Sequence, residues 1–223
     1  LPFFLSLRAA IRARVTTARL ERAAEAKRSE IAASARAYFV FAARAIAPPP
    51  PQLFAIGGLS GTGKTQLARA LAPDIGPMPG AVIVRSDVER KMMFGVAETE
   101  RLPEQAYASQ VTERVYGVLI DKARRVLAAG HAAIIDAVFA QPAERDALAT
   151  AAKSAIRVQG LFLTADLATR LARVGSRSGD ASDAGRVVAQ AQQAYDLGRL
   201  DWKQIDASGS VADTLAHARA ALD

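Results

Sequence analysis

The sequence predicts an α/β protein, a five-stranded parallel sheet with helices on both faces, preceded by a separate pair of helices. Three observations predict it. Residues 58–65 read Gly-Leu-Ser-Gly-Thr-Gly-Lys-Thr and satisfy G-x-x-x-x-G-K-[ST] between an apolar run, Leu53 to Ile56, and a helical pattern, Gln66 to Leu71. Four more short runs alternate with helical stretches along the rest of the chain. A polar residue follows four of the five runs, where parallel strands present their carboxyl ends as a ligand edge.

The leading helices come first. Phe3, Leu7, Ile11 and Val15 recur at helical spacing, with Arg8, Arg12, Arg14 and Arg19 on the other faces. A second helical stretch runs from about Ala24 to Ala47, with Ile31, Ala35, Tyr38 and Phe41 on one stripe. Residues 1–47 are therefore a basic helical segment, of a kind that suits a membrane surface, RNA or a neighbouring domain. Apolar stripes usually mean packing, so docking on a neighbouring domain is the favoured reading, and the opening at Leu1 without methionine suggests an upstream domain in the same polypeptide. Pro48 to Pro51 end the helix and form a stiff spacer, leaving residues 52–223 as the phosphate-loop domain.

Within that domain the helix after the loop reaches about Ala72, stopped by Pro73 and the turn cluster 76–80. Ala81 to Val84 is a buried-strand run ending at Arg85-Ser86-Asp87; Ala132 to Ile135 ends at Asp136; Gly160 to Leu163 ends at Thr164; the weaker Trp202 to Ile205 ends at Asp206. Helical patterns fill about 103–129, 142–152, 166–174, 184–195 and 211–222.

Composition narrows the class. Apolar residues make up 51% of the 223, ample for a packed core. With no cysteine and only His131 and His217, disulfides and thiolate metal sites are excluded and a zinc site is disfavoured, which fits a reducing, cytoplasmic setting. No apolar run approaches a membrane span. Of the net charge of +7, the first 50 residues carry nine basic and three acidic side chains, leaving the phosphate-loop domain nearly neutral. That distribution argues against a nucleic-acid partner.

The loop carries the strongest chemical signal. Gly58, Gly61 and Gly63 permit backbone conformations in which the amides of 58–65, through Leu59, Ser60 and Thr62, turn inward around a phosphate chain. Lys64 adds a cation for the β and γ phosphates, and Thr65 a hydroxyl for Mg²⁺. Asp136, after four apolar residues, is the second acidic element that orients Mg²⁺; the alternative is a turn cap. Its successor is Ala137, where a hydrolytic ATPase would place glutamate, so transfer to a bound acceptor is favoured over hydrolysis. Asp87 is the candidate acceptor of a substrate hydroxyl proton, or else an acidic residue at a helix start, with Ser86 and Glu89 at capping-box spacing. Arg90, one turn along, faces the same pocket as a candidate substrate-binding residue or is a solvated helix arginine. Arg170, Arg173 and Arg177, followed by Ser178-Gly179-Asp180-Ala181-Ser182-Asp183, read as a lid supplying Arg173 and Arg177 to the transferring group; a solvated basic face is the alternative. Ser210 and Asp213 are placed as a helix cap; the loop 206–210 before them is a candidate border of the adenine, and capping alone is the alternative that explains it.

The segments 57–65, Arg85 to Lys91, Ile135 to Phe139 and Arg173 to Arg177 resemble those of small P-loop kinases related to gluconate kinase, zeta toxin and polynucleotide 5′-kinase. Pro51 to Asp223, about three quarters of the chain, is similar to the C-terminal ATP-binding domain of bifunctional proteins that join it to an aminoglycoside phosphotransferase. The leader resembles the last helices of that upstream half, whose catalytic motifs are absent here. The resemblance implies a P-loop NTPase three-layer sandwich, Mg·ATP, Asp87 as base, and Arg173 with Arg177 in a lid. It does not extend to sugar-acid specificity, because Ser178-Gly179-Asp180 stands where gluconate kinases carry histidine. The expected function is phosphoryl transfer from Mg·ATP to a hydroxyl of a small metabolite, with an ATP-binding regulatory module or a polynucleotide 5′-kinase as rivals.

Overall fold

The computed structural model describes residues 1–151, 158–176 and 179–222. They form two compact units, Leu1–Pro50 with Gly76–Pro79, and Pro51–Ile75 with Gly80–Asp223. In the first unit, helices α1 (Pro2–Ala18) and α2 (Glu25–Ile46) pack on each other. The buried positions are small: Ala9 and Ala13 on α1, and Ala35, Ala42 and Ala45 on α2. Ser6 Oγ donates to the Ala42 carbonyl at 2.8 Å, tying the start of one helix to the end of the other. The stripe of Phe3, Leu7, Ile11 and Val15 is exposed in this chain, so alanines rather than the stripe close the pair.

The second unit follows the order β1 (Leu53–Gly58), α3 (Lys64–Leu71), β2 (Val82–Arg85), α4 (Ser86–Met93), α5 (Ser109–Ala128), β3 (Ala133–Asp136), α6 (Pro142–Ala151), β4 (Val158–Thr164), α7 (Leu167–Gly175), α8 (Arg186–Ala191), β5 (Lys203–Asp206) and α9 (Val211–Leu222). The strands form a five-stranded parallel sheet in the order β2-β3-β1-β4-β5, the predicted fold class. Alternation along each strand builds two cores. Leu53, Ala55, Ala133 and Ile135 face one side, against Val115, Leu119 and Ala123 of α5 and Leu148 of α6. Phe54, Ile56, Ile134 and Leu161 face the other, against Leu67 and Leu71 of α3 and Ala218 of α9. Strands covered on both faces have no polar side, which is why they read as unbroken apolar runs.

Two predicted helices are shorter than expected. The stretch 103–129 divides into a 3₁₀ turn, Glu104–Tyr107, and α5, because Ala108 is extended at ψ 149°. That break leaves the Ala106 carbonyl free of the helix ladder, and Arg90 takes it. The stretch 184–195 yields α8 followed by a 3₁₀ turn, Gln192–Ala194. Among the described residues no helix is long and apolar enough to cross a membrane.

Candidate active site

The carboxyl ends of β1, β2 and β3 meet at the phosphate loop. Gly58, Gly61 and Gly63 adopt φ of 139°, 88° and 92°, conformations that favour glycine. At Gly61 the packing is also closed, since a Cβ would lie 2.5 Å from the Arg170 carbonyl oxygen. Gly63 precedes α3, so the helix N-terminus, with the positive end of its dipole, opens at the loop. The loop is braced from several sides. Thr62 Oγ1 donates to the Leu59 carbonyl at 2.8 Å, and the Gly58 amide donates to the Val138 carbonyl at 3.0 Å. The Ser60 amide donates to Gln192 Oε1 at 2.7 Å, while Arg170 Nε donates to the Ser60 carbonyl at 2.9 Å. Lys64 Nζ reaches back over the loop to the Leu59 carbonyl at 3.2 Å.

Thr65 and Asp136 are brought together, the hydroxyl donating to Asp136 Oδ2 at 2.6 Å. A hydroxyl beside a buried carboxylate is a hard-oxygen pair that fits Mg²⁺, which takes few protein ligands and completes its shell with water and phosphate. Among the described residues no cluster of three or more His, Cys, Asp or Glu is placed to hold a metal. Arg85, the last residue of β2, lies beside Asp136 in the sheet register. Its NH2 stands 3.3 Å from Thr65 Oγ1 and its Nε 3.4 Å from Asp136 Oδ2, while NH2 also donates to Asp180 Oδ1 at 2.9 Å.

Asp87 opens α4 at the same edge. Burial and the neighbouring Asp136 carboxylate push its carboxyl above the usual aspartate value, against the pull of Lys64, a Ser182 hydrogen bond and Arg85. The capping box proposed from Ser86 and Glu89 does not form. Arg85 is the N-cap, with no side-chain cap bond, and Glu89 pairs instead with Lys122 at 2.6 Å. Arg90 is buried; it donates to the Ala106 carbonyl at 2.6 Å and to Thr112 Oγ1 at 3.3 Å, and lies 4.9 Å over the Tyr107 ring. It lines the cleft beside Asp87, and is no solvated helix arginine. Across from it, Tyr116 and Glu144 hydrogen-bond to each other, and burial pushes both above their ordinary values. Phe139, at φ 51°, is held between the Tyr116 and Trp202 rings at 5.2 and 4.8 Å. Its carbonyl is one of four, with those of Ala140, Leu197 and Arg199, that accept from the buried Arg145.

The predicted lid arginines part company. Arg170 is 1% exposed and is spent inside the protein, on the Ser60 and Ala189 carbonyls and the side chain of Gln193. Arg173 donates to the Ala207 and Gly209 carbonyls at 2.7 and 2.6 Å, on the loop between β5 and α9, and lines the same cleft. Arg177 and Ser178 lie outside the described residues. The segment after them is anchored: Asp180 on Arg85, Ser182 on Asp87, and Asp183 on Lys91 Nζ at 2.9 Å, the Tyr107 hydroxyl at 2.7 Å and the Leu102 amide at 3.0 Å. Burial would raise the Asp183 carboxyl, but these donors hold it below the usual range. Ser210 and Asp213 do form a reciprocal cap at the start of α9. The phosphate loop, Asp87, Arg90, Tyr107, Asp136, Glu144, Arg173 and Asp183 line one open cleft of about 1760 Å³.

Sequence reasoning gave no role to Arg85, Lys91 or Gln192, and placed Asp180 and Asp183 in the lid without giving them partners. The strand-end rule that picked Asp136 also picks Arg85. Lys91 and Asp183 stand 92 residues apart, and no local pattern joins them.

A family model described as an AAA domain matches residues 53–196. An uncharacterized protein of Mycobacterium tuberculosis is 31% identical over 216 residues, which cover 93% of this chain and 41% of that protein. The chain thus spans well under half the length of that relative. Among solved structures, a gluconokinase from Sinorhizobium meliloti 1021 matches with TM-score 0.54 and 19% identity, over 77% of this chain and 91% of its own. The APS kinase of Mycobacterium tuberculosis in complex with AMPPNP and APS matches with TM-score 0.55 and 16% identity, over 78% and 99%. At such identities the likeness is one of fold.

Proposed function

The chain belongs to this AAA domain family and has the fold of P-loop small-molecule kinases, and from that premise we propose that it moves the γ-phosphate of Mg·ATP to a hydroxyl of a small metabolite. The observation that carries the reading is the meeting of Asp87, Lys64 and Asp136 at one sheet edge, where burial first and the Asp136 charge second raise the Asp87 carboxyl and Lys64 pulls it back. The phosphate loop and Lys64 hold the β and γ phosphates, although the Gly58 and Ser60 amides are spent on the Val138 carbonyl and Gln192 and leave the cradle to the rest of the loop; Thr65 with Asp136 hold the cation. Bound Mg²⁺ would neutralise charge on the phosphate oxygens. Asp87 orients the acceptor hydroxyl and takes its proton as the acceptor oxygen bonds to γ-phosphorus and the bond to the ADP oxygen breaks. A carboxyl raised above its ordinary value is a better proton acceptor for this step. Arg90, Tyr107 and Thr112 form the acceptor wall. Arg173, on the β5–α9 loop carbonyls, lies along the nucleotide, with Arg177 as the second lid arginine. The exposed apolar stripe of α1 supports a second proposal, that residues 1–47 complete an upstream domain of a longer polypeptide.

The test is transfer of labelled γ-phosphate to a panel of hydroxyl metabolites. Asp87→Asn should lower transfer by about 10²–10⁴-fold while leaving nucleotide affinity in place. Transfer to no member, with residual turnover indifferent to Asp87→Asn, would replace the kinase with an ATP-binding regulatory module. Steeply salt-sensitive uptake of single-stranded oligonucleotides would favour a polynucleotide 5′-kinase.

A further inference from the structure

We propose that Arg85 competes with the divalent cation for one oxygen pair, Thr65 Oγ1 and Asp136 Oδ2, and that Asp180 receives the guanidinium when the cation takes the pair. This rests on the reading of that pair as the metal-holding one. Arg85 approaches both oxygens, at 3.3 and 3.4 Å, and the carboxylate atom it faces is the one that already accepts the Thr65 hydroxyl. Mg²⁺ binds oxygen at about 2.0–2.1 Å and draws in further oxygens around it. A guanidinium and a divalent cation placed against the same atom repel each other, so the arrival of one disfavours the other.

The grip of Arg85 on the pair is incomplete. Its Nε is buried and has no hydrogen-bond partner, although it lies 3.4 Å from Asp136 Oδ2. The bond to Asp180, at 2.9 Å, is well formed. A buried donor drawn in by charge without a bond is costly to keep, whereas the Asp180 arm is already made. The Asp180 side chain is 28% exposed and that of Asp136 5%, so a pivot toward Asp180 carries the charge outward into the cleft. Asp180 belongs to the segment that also holds Asp87 through Ser182, so the handover would link cation arrival to the loop over the acceptor site.

Mn²⁺ titrated alone, with the free ion followed by electron paramagnetic resonance, reads the competition without catalysis. Arg85→Gln should tighten Mn²⁺ at least about tenfold, and Asp180→Asn should loosen it, because the guanidinium then turns wholly to the Thr65 and Asp136 oxygens. Simple addition of charges gives the same two signs, so the double variant decides. If Asp180 acts through Arg85, adding Asp180→Asn to Arg85→Gln changes little; an equal loss in both backgrounds overturns the handover. Unchanged or weaker Mn²⁺ binding in Arg85→Gln overturns the competition itself. Should Arg85→Gln fail to fold, an unaltered Mn²⁺ affinity in Asp180→Asn alone has the same force. Calorimetry of wild-type protein with Mg·AMPPNP reports on the kinase reading separately: no uptake overturns that reading, while uptake with a flat Mn²⁺ cycle overturns only this inference.

Discussion

Replacing Arg170 by methionine tests whether the phosphate loop is held from outside itself. Arg170 is 1% exposed, and among the described residues no carboxylate pairs with it; burial alone pulls its guanidinium below the usual value. Its bonds run to the Ser60 and Ala189 carbonyls, both 2.9 Å, and to the side-chain oxygens of Gln193 and Gln192 at 3.2 and 3.4 Å. Methionine keeps most of the stem's apolar contact but leaves two buried carbonyls without donors, each costing about 1–3 kcal/mol. Relief of the buried charge offsets part of that sum, so the expected loss is about 2–4 kcal/mol. For a domain of this size it lowers Tm by roughly 4–16 °C. The Ser60 carbonyl sits at the apex of the loop, so Mg·ATP affinity should fall by about tenfold, equivalent to ~1.4 kcal/mol of lost loop order. Denaturant unfolding and calorimetry with AMPPNP measure the two effects. A variant within about 0.5 kcal/mol of wild type, the scatter of ordinary surface changes, that also binds nucleotide equally well would refute the clamp.

Gly61→Ala should abolish nucleotide binding and cost at least about 1 kcal/mol, because φ is 88° and the new methyl group meets the Arg170 carbonyl; calorimetry and a melting curve check it. Asp87→Asn should melt higher than wild type at pH 7. The Asp87 carboxyl is raised in the folded state, so its stabilising contribution is present below the ordinary aspartate value and is lost as pH rises through the folded one. The gain should therefore vanish near pH 3.5 in thermal scans across pH. Asp183→Asn leaves Lys91, 1% exposed, without its carboxylate and should cost about 3–5 kcal/mol at pH 7 in urea unfolding. Because the Asp183 carboxyl is depressed, the wild type loses this contribution as pH falls below the ordinary aspartate range, and the two proteins should converge there.

Much of the scaffold was legible because its signals are local. The glycines at 58, 61 and 63, the run before them and the helix after them lie within twenty residues and obey backbone geometry alone. The inner runs mark strands since a sheet covered on both faces excludes polar side chains, whereas the outer β5, with Lys203 and Gln204 exposed, gives a weaker run. Their order in the sheet is a different matter, decided by which crossover packs where, and Leu53 to Ile56 carry no label saying that β3 and β4 flank them. Site residues divide the same way. Thr65 and Asp136 follow from position at a strand end or helix start, whereas Arg170 looked like a lid arginine because three-residue spacing shows a shared face without showing which face is buried. Glu89 looked like half of a cap because its partner Lys122 is distant in sequence.

The pairing of Arg85 with Asp136 has a consequence for assembly of the sheet. β2 is an outer strand, bonded only to β3, and such a strand has one neighbour to tell it where to stop. Were it to slide by a single residue, Val84 or Ser86 would arrive beside the buried carboxylate, and every side chain of β2 would change faces. A lone interior anion without its cation costs several kcal/mol, more than one strand of four residues recovers from misplaced contacts. Two opposite charges at the rim thus act as an alignment mark, penalising each wrong pairing.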